Sequence, residues 1–85
     1  MSGYPTEFLV SLSEFGLAPG DETPPDLVRE ALNDLYRHEL RRLRDRHRAG
    51  DLPKPAFLDA VVAMRKKYWL LTLPLSAWEK IWREG

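Results

Sequence analysis

Residues 37 to 50 read RHELRRLRDRHRAG, with six arginines, two histidines and two acids in fourteen positions. A guanidinium presents a planar fork of N–H donors that matches phosphate and carboxylate, so the chemistry on offer is anion recognition. On a helix, Arg37, Arg41, Arg44 and Arg48 fall within about 60° of one another. Such a stripe presents four guanidinium groups to one side, and each phosphate neutralised would add a salt-dependent term to affinity. Arg65, Lys66 and Lys67 stand just before Tyr68 and Trp69, a basic and aromatic edge of the kind on which unpaired bases stack. These seven basic residues are the candidate anion or nucleic-acid surface.

A plainer reading competes with it. Asp26, Glu30 and Asp34 precede the arginines in the same segment, an order that complements a helix dipole. Asp34 is at pairing distance from Arg37 and His38, and Glu39 from Arg42. DNA-reading modules bring a second helix set by a tight turn, or zinc ligands, and neither is visible. The favoured expectation is therefore a solvated helix face with local ion pairs, and nucleic-acid binding is the alternative.

Other chemistry has less support. His38 and His47 are nine residues apart, which puts them on opposite sides of a helix. Asp34 and His38 have a metal-compatible spacing, but no third ligand stands near. There is no cysteine, hence no thiolate metal site, disulfide or cysteine nucleophile. Ser11, Ser13 and Ser76 lack a glycine-rich elbow, and no glycine loop suits a phosphate. Glu39, the acid nearest the apolar stripe, is expected to pair with Arg42 rather than act as a general acid. No catalytic, cofactor-binding or metal site is expected, and the chain does not read as an enzyme.

The segment KKYWLLTLPLSAWEKIW carries more large apolar side chains than one face of two short helices needs. Part of it must be core, since aromatic residues bury the most area. The surplus marks a candidate protein interface at Trp69, Leu73, Leu75, Trp78 and Trp82.

Four helical segments position these residues. Phe8, Leu12 and Phe15 recur at helical spacing over 6–15, with Thr6 as a cap and Gly16 as a stop; a strand is the alternative, since FLVSL also partly alternates. After the loop LAPGDETPP, a T-x-x-D box at Thr23 and Asp26, with Pro24 as first helical residue, opens a long helix over 24–49. Its stripe is Val28, Leu32, Leu35, Tyr36, Leu40 and Leu43, and Gly50 ends it. DLPKP breaks the chain. A third helix over 55–71 uses Phe57, Val61, Met64, Tyr68 and Leu71, with Leu58 and Val62 widening the face. Pro74 stops it, and an S-x-x-E box at Ser76 opens a short helix over 76–84. The expected fold is one all-α domain spanning 1–85, a small bundle of about four helices dominated by a long antiparallel pair. The longer member outruns its partner by about 10 Å, which leaves apolar surface in need of cover.

The 85 residues balance to zero net charge, yet unevenly. Residues 1–34 hold seven acids against Arg29, a balance of −6, and residues 35–85 hold twelve bases against six acids, a balance of +6. Folding of the acidic third onto the basic remainder is the simpler outcome. The N-terminus lacks a secretory pattern. The longest apolar run, 68–77, is about half the ~20 residues of a membrane span. The expectation is a cytoplasmic protein without cofactor or membrane partner. It acts by protein–protein interaction in an adaptor or structural role, as a homodimer with Trp69, Trp78 or Trp82 in the contact.

Overall fold

The computed structural model describes residues 3–84; Met1, Ser2 and Gly85, which the expected 1–85 domain includes, lie outside the described residues. The chain forms α1 (Thr6–Ser13), α2 (Pro25–Arg48), α3 (Lys54–Lys67) and α4 (Leu75–Glu84), with a 3-10 turn at Trp69–Thr72. No strand occurs among the described residues, and the all-α bundle is as expected. α2 and α3 run antiparallel, because His47 stacks on Phe57 at one end while Lys67 meets Glu39 farther back.

Proline carbonyls, not hydroxyl caps, start every helix. Pro5, Pro24 and Pro53 hold extended backbone at the cap positions. The oxygens of Pro5, Pro24, Pro53 and Pro74 accept from Leu9, Val28, Phe57 and Trp78 at 2.8–3.3 Å. Proline fixes φ near −65°, which the cap position accepts with the extended ψ seen here, and its missing N–H is not needed at a helix start. The expected box at Thr23 does not form. Its hydroxyl instead accepts from the Gly20 amide at 3.0 Å and closes the preceding turn. Ser76 lies inside the first turn of α4 rather than at its cap, and Thr6 is likewise already helical.

The expected stops do operate. Gly16 and Gly50 adopt φ of +77° and +83°. Leu17 N–H reaches Leu12 O and Gly16 N–H reaches Ser13 O, and the same pattern joins Asp51 to Arg46 and Gly50 to His47. These are paired Schellman closures, which need a residue tolerant of left-handed backbone.

The third helix ends at Lys67, not Leu71, because Tyr68 turns to φ −95°, ψ 35°. Tyr68 and Leu70 are both buried, yet residues two apart on an α-helix point about 200° apart. The tighter 3-10 turn aims both inward. It also presents the Leu70 carbonyl to the Trp78 indole N–H at 3.0 Å.

The core is Tyr4, Phe8, Leu12, Val28, Leu32, Met64, Tyr68, Leu70 and Trp78. Trp78 is fully enclosed, with Phe8 edge-on at 4.7 Å. Gly3 N–H to Trp82 O and Trp82 Nε1–H to Asp21 O, both 2.9 Å, tie the N-terminal segment and a loop to α4. Arg29 donates to the Leu73 and Leu71 carbonyls at 3.2 and 3.3 Å. The overhang of α2 beyond α3 is thus covered by the chain's own α1, 3-10 turn and α4.

This core occupies one end. Between Leu32 and Met64 no residue is fully buried. There the second half of α2 and the first half of α3 form a two-helix arm around half-buried Leu40, Leu43, Phe57 and Val61. At its tip His47 Nδ1 lies 2.8 Å from the Leu52 carbonyl. The molecule measures 50 × 20 × 16 Å, with a radius of gyration of 15.1 Å, against about 12 Å for a compact domain of this length.

Candidate functional site

Arg37, Arg41, Arg44 and Arg48 stand on the arm half of α2, and all four are exposed. Among the described residues only Arg37 meets a carboxylate, Asp34 at 3.6 Å, in a pair with both side chains about two-thirds exposed. The local pairing expected for the whole stripe therefore forms at one of its four positions. Among the described residues, the acidic third meets the basic remainder in one close ion pair, Asp34–Arg37, and the other described pair, Glu39–Lys67, lies within the basic remainder.

Glu39 does not pair with Arg42 as expected. Its Oε1 accepts from Lys67 Nζ across the helices at 3.1 Å, and its Oε2 is shielded from solvent with no well-formed hydrogen bond. Burial pushes this carboxyl upward, but the Tyr68 hydroxyl, the Lys67 ammonium and the Arg42 guanidinium outweigh it and hold the group below its ordinary range. Burial, then the neighbouring Glu39, pushes Tyr68 well above the usual phenol value. Lys67 also lies over the Phe15 and Tyr68 rings at 5.4 and 5.6 Å. Lys67 thus joins two helices, while Arg65 and Lys66 remain exposed.

Two grooves flank the α2–α3 pair. One, of about 360 Å³, is lined by Glu39, Arg42, Leu43 and Arg46 opposite Ala63, Met64 and Lys67. The other, of about 320 Å³ and nearer the core, places Asn33 and Tyr36 opposite Arg65 and Tyr68. By helical period, Leu58 and Val62 lie within about 60° of Arg65 on α3, and the arginine stripe lies within about 80° of Asn33 on α2. In an antiparallel pair those two flanks share one side of the arm. Leu58 and Val62 are 50% and 51% exposed. Arg37 and Arg44 thus lean toward the side of the arm that carries this aliphatic strip, while Arg41 and Arg48 point more nearly away from α3.

The apolar residues expected at an interface separate. Trp69 is 46% and Leu75 36% exposed, Leu73 and Trp82 are half-buried, and Trp78 is a core residue. Trp78 therefore cannot lie in a contact surface without unfolding, and Trp82 has committed its indole N–H to Asp21. Leu58 and Val62, expected to widen the buried face of α3, are instead its exposed flank. Their angle of about 100–140° from Phe57 was the available signal.

Among the described residues no group of three or more His, Cys, Asp or Glu could hold a metal ion. None of the described helices is long and apolar enough to cross a membrane. Comparison with protein-family models, curated proteins and solved structures finds no match to this chain.

Proposed function

We propose that this protein is a non-catalytic interaction domain that binds protein through the arm face carrying Leu58, Val62 and the arginine stripe. The observation behind this reading is the half-exposure of both aliphatic side chains on an arm whose Arg41, Arg44 and Arg48 have no carboxylate partner among the described residues. Exposed apolar side chains grouped with arginine are the composition of a contact surface. A partner with acidic and aliphatic groups would satisfy both. The lack of cysteine suits a reducing, cytoplasmic setting.

Nucleic acid is the second reading, supported by Arg41, Arg44 and Arg48, which have no carboxylate partner among the described residues. It is the weaker one. Phosphate has no use for Leu58 and Val62, and Asp26, Glu30 and Asp34 on the same helix repel a polyanion.

Affinity capture from the native host, with and without nuclease, tests the choice. The parent is expected to retain protein after nuclease treatment, and Leu58→Asp/Val62→Asp to lose the same species while staying helical. Captured material that disappears with nuclease would overturn the reading in favour of nucleic acid.

A further inference from the structure

α2 carries its acids and its arginines on one stripe. Asp26, Glu30, Asp34, Arg37, Arg41, Arg44 and Arg48 follow at intervals of four, four, three, four, three and four, which keeps them within about 80° around the helix. All seven are exposed. The half nearer the core is acidic and the half on the arm is basic. Read backwards, such a stripe complements itself.

We propose that this stripe is the contact between two copies of the chain, α2 against α2, antiparallel about a two-fold axis at Arg37. This rests on the reading of the arm as a protein-binding surface and names its partner. Arg44 and Glu30 each stand seven residues from Arg37, and Arg48 and Asp26 eleven, or about 10 and 16 Å along the axis. Antiparallel alignment therefore sets Glu30 opposite the Arg44 of the second copy and Asp26 opposite its Arg48, and the two-fold makes each pair twice. Asn33 falls opposite Arg41. The two Arg37 side chains meet near the axis, where each already has Asp34 at 3.6 Å. A parallel alignment in register would set like charges against each other along the whole stripe.

The chain exposes 5968 Å², against roughly 5200 Å² for a compact monomer of its mass, in keeping with its elongated 50 × 20 × 16 Å shape. Solvated charge pairs contribute little affinity; their part is to set register and orientation. Leu58 and Val62 lie on the flank toward which Arg37 and Arg44 lean, at the margin of this contact.

Sedimentation equilibrium of the full chain from micromolar to several hundred micromolar tests the proposal, with circular dichroism to confirm folding. The parent is expected to dimerise, more weakly in high salt. Asp26→Arg/Glu30→Arg and Arg44→Glu/Arg48→Glu should each weaken association by on the order of a hundredfold or more. Mixed in equal amounts, they should form a heterodimer, because every cross-pair is then restored. A monomeric parent, variants that dimerise like the parent, or a mixture that stays monomeric would overturn the proposal.

A second readout is independent of charge. The chain has no cysteine, so Arg37→Cys should oxidise to a symmetric covalent dimer. Arg48→Cys, about 33 Å from its copy in this register, should not; the reverse pattern would refute the axis. If the parent is monomeric but Leu58→Asp/Val62→Asp still abolishes protein capture, the interaction reading stands and this one falls. If the parent dimerises as described but those variants capture the same proteins as before, the interaction reading falls instead.

Discussion

Glu39, Lys67 and Tyr68 show how a polar group is retained at the edge of a small core. The carboxylate is partly withdrawn from water, which opposes its charge, and its neighbours restore that charge. Its contribution to stability is thus present above the ordinary carboxyl range and is lost as pH falls through its lowered value. The tyrosines act at the other end of the scale. Tyr4, whose hydroxyl donates to the Thr23 carbonyl at 2.6 Å, is pushed up to about 12, by burial first and then by Asp26. Tyr68 is raised further still. A phenol whose folded pKa lies above its unfolded value near 10 stabilises the fold fully below pH 10. That contribution declines as pH rises from there through the folded value. Urea midpoints of the parent should therefore fall between about pH 10 and 12. The fall should be shallower in Tyr68→Phe, and shallower again when Tyr4→Phe is added. Equal slopes in all three proteins would mean that neither hydroxyl is held protonated by the fold.

Helices in this chain are delimited by backbone chemistry at both ends. Proline carbonyls open them, and left-handed glycines close α1 and α2. Gly50 has no atom within 4 Å of the position a Cβ would take, so substitution there meets only backbone strain. Gly50→Ala should cost about 1–2 kcal/mol, the penalty of a left-handed non-glycine residue. Gly20 is the control. Its φ is not positive, and the nearest atom to a Cβ is Thr23 Oγ1 at 3.8 Å, an ordinary contact. Gly20→Ala should be neutral or stabilising by roughly 0.4–1 kcal/mol through the unfolded chain. Urea denaturation of both variants checks the opposite signs; destabilisation of equal size would remove the conformational explanation.

The whole molecule is a packed body with an arm. All buried apolar residues lie in the body, joined by hydrogen bonds between segments as distant in sequence as Asp21 and Trp82. The arm has half-buried contacts and a single aromatic stack at its tip. Regions with few buried contacts open at lower free energy than the core. Hydrogen exchange at low micromolar concentration should accordingly find amides of residues 40–62 less protected than those around Leu32 and Met64. Uniform protection along α2 would show that the arm is held as firmly as the body. At concentrations where two copies associate, protection in the arm half of α2 should rise.

Much of this architecture was legible without coordinates. The stripe from Val28 to Leu43 sets α2, and Gly16 and Gly50 mark helix ends, because periodicity and left-handed turns depend on a residue and its near neighbours. The exposed arginine stripe was legible for the same reason: it is the side of α2 opposite its apolar face. Tertiary structure decided what depends on distant partners. Thr23 and Ser76 have capping chemistry, but adjacent prolines already supply the first carbonyls. Trp69 and Trp78 are alike in composition. Trp78 is enclosed because Phe8 and the Leu70 carbonyl meet it, whereas Trp69 lies on the outer side of the 3-10 turn that brings Leu70 inward. That turn cannot be read from the apolar spacing of residues 57–71, which suits a continuous helix. It follows from the need to bury both Tyr68 and Leu70. Likewise Glu39 has Arg42 one turn away, yet its partner is Lys67, because antiparallel packing brings an ammonium and a phenol to its shielded side. Local chemistry determined where helices form and which side of α2 is charged. Only packing determined which apolar side chains were left over to form a face.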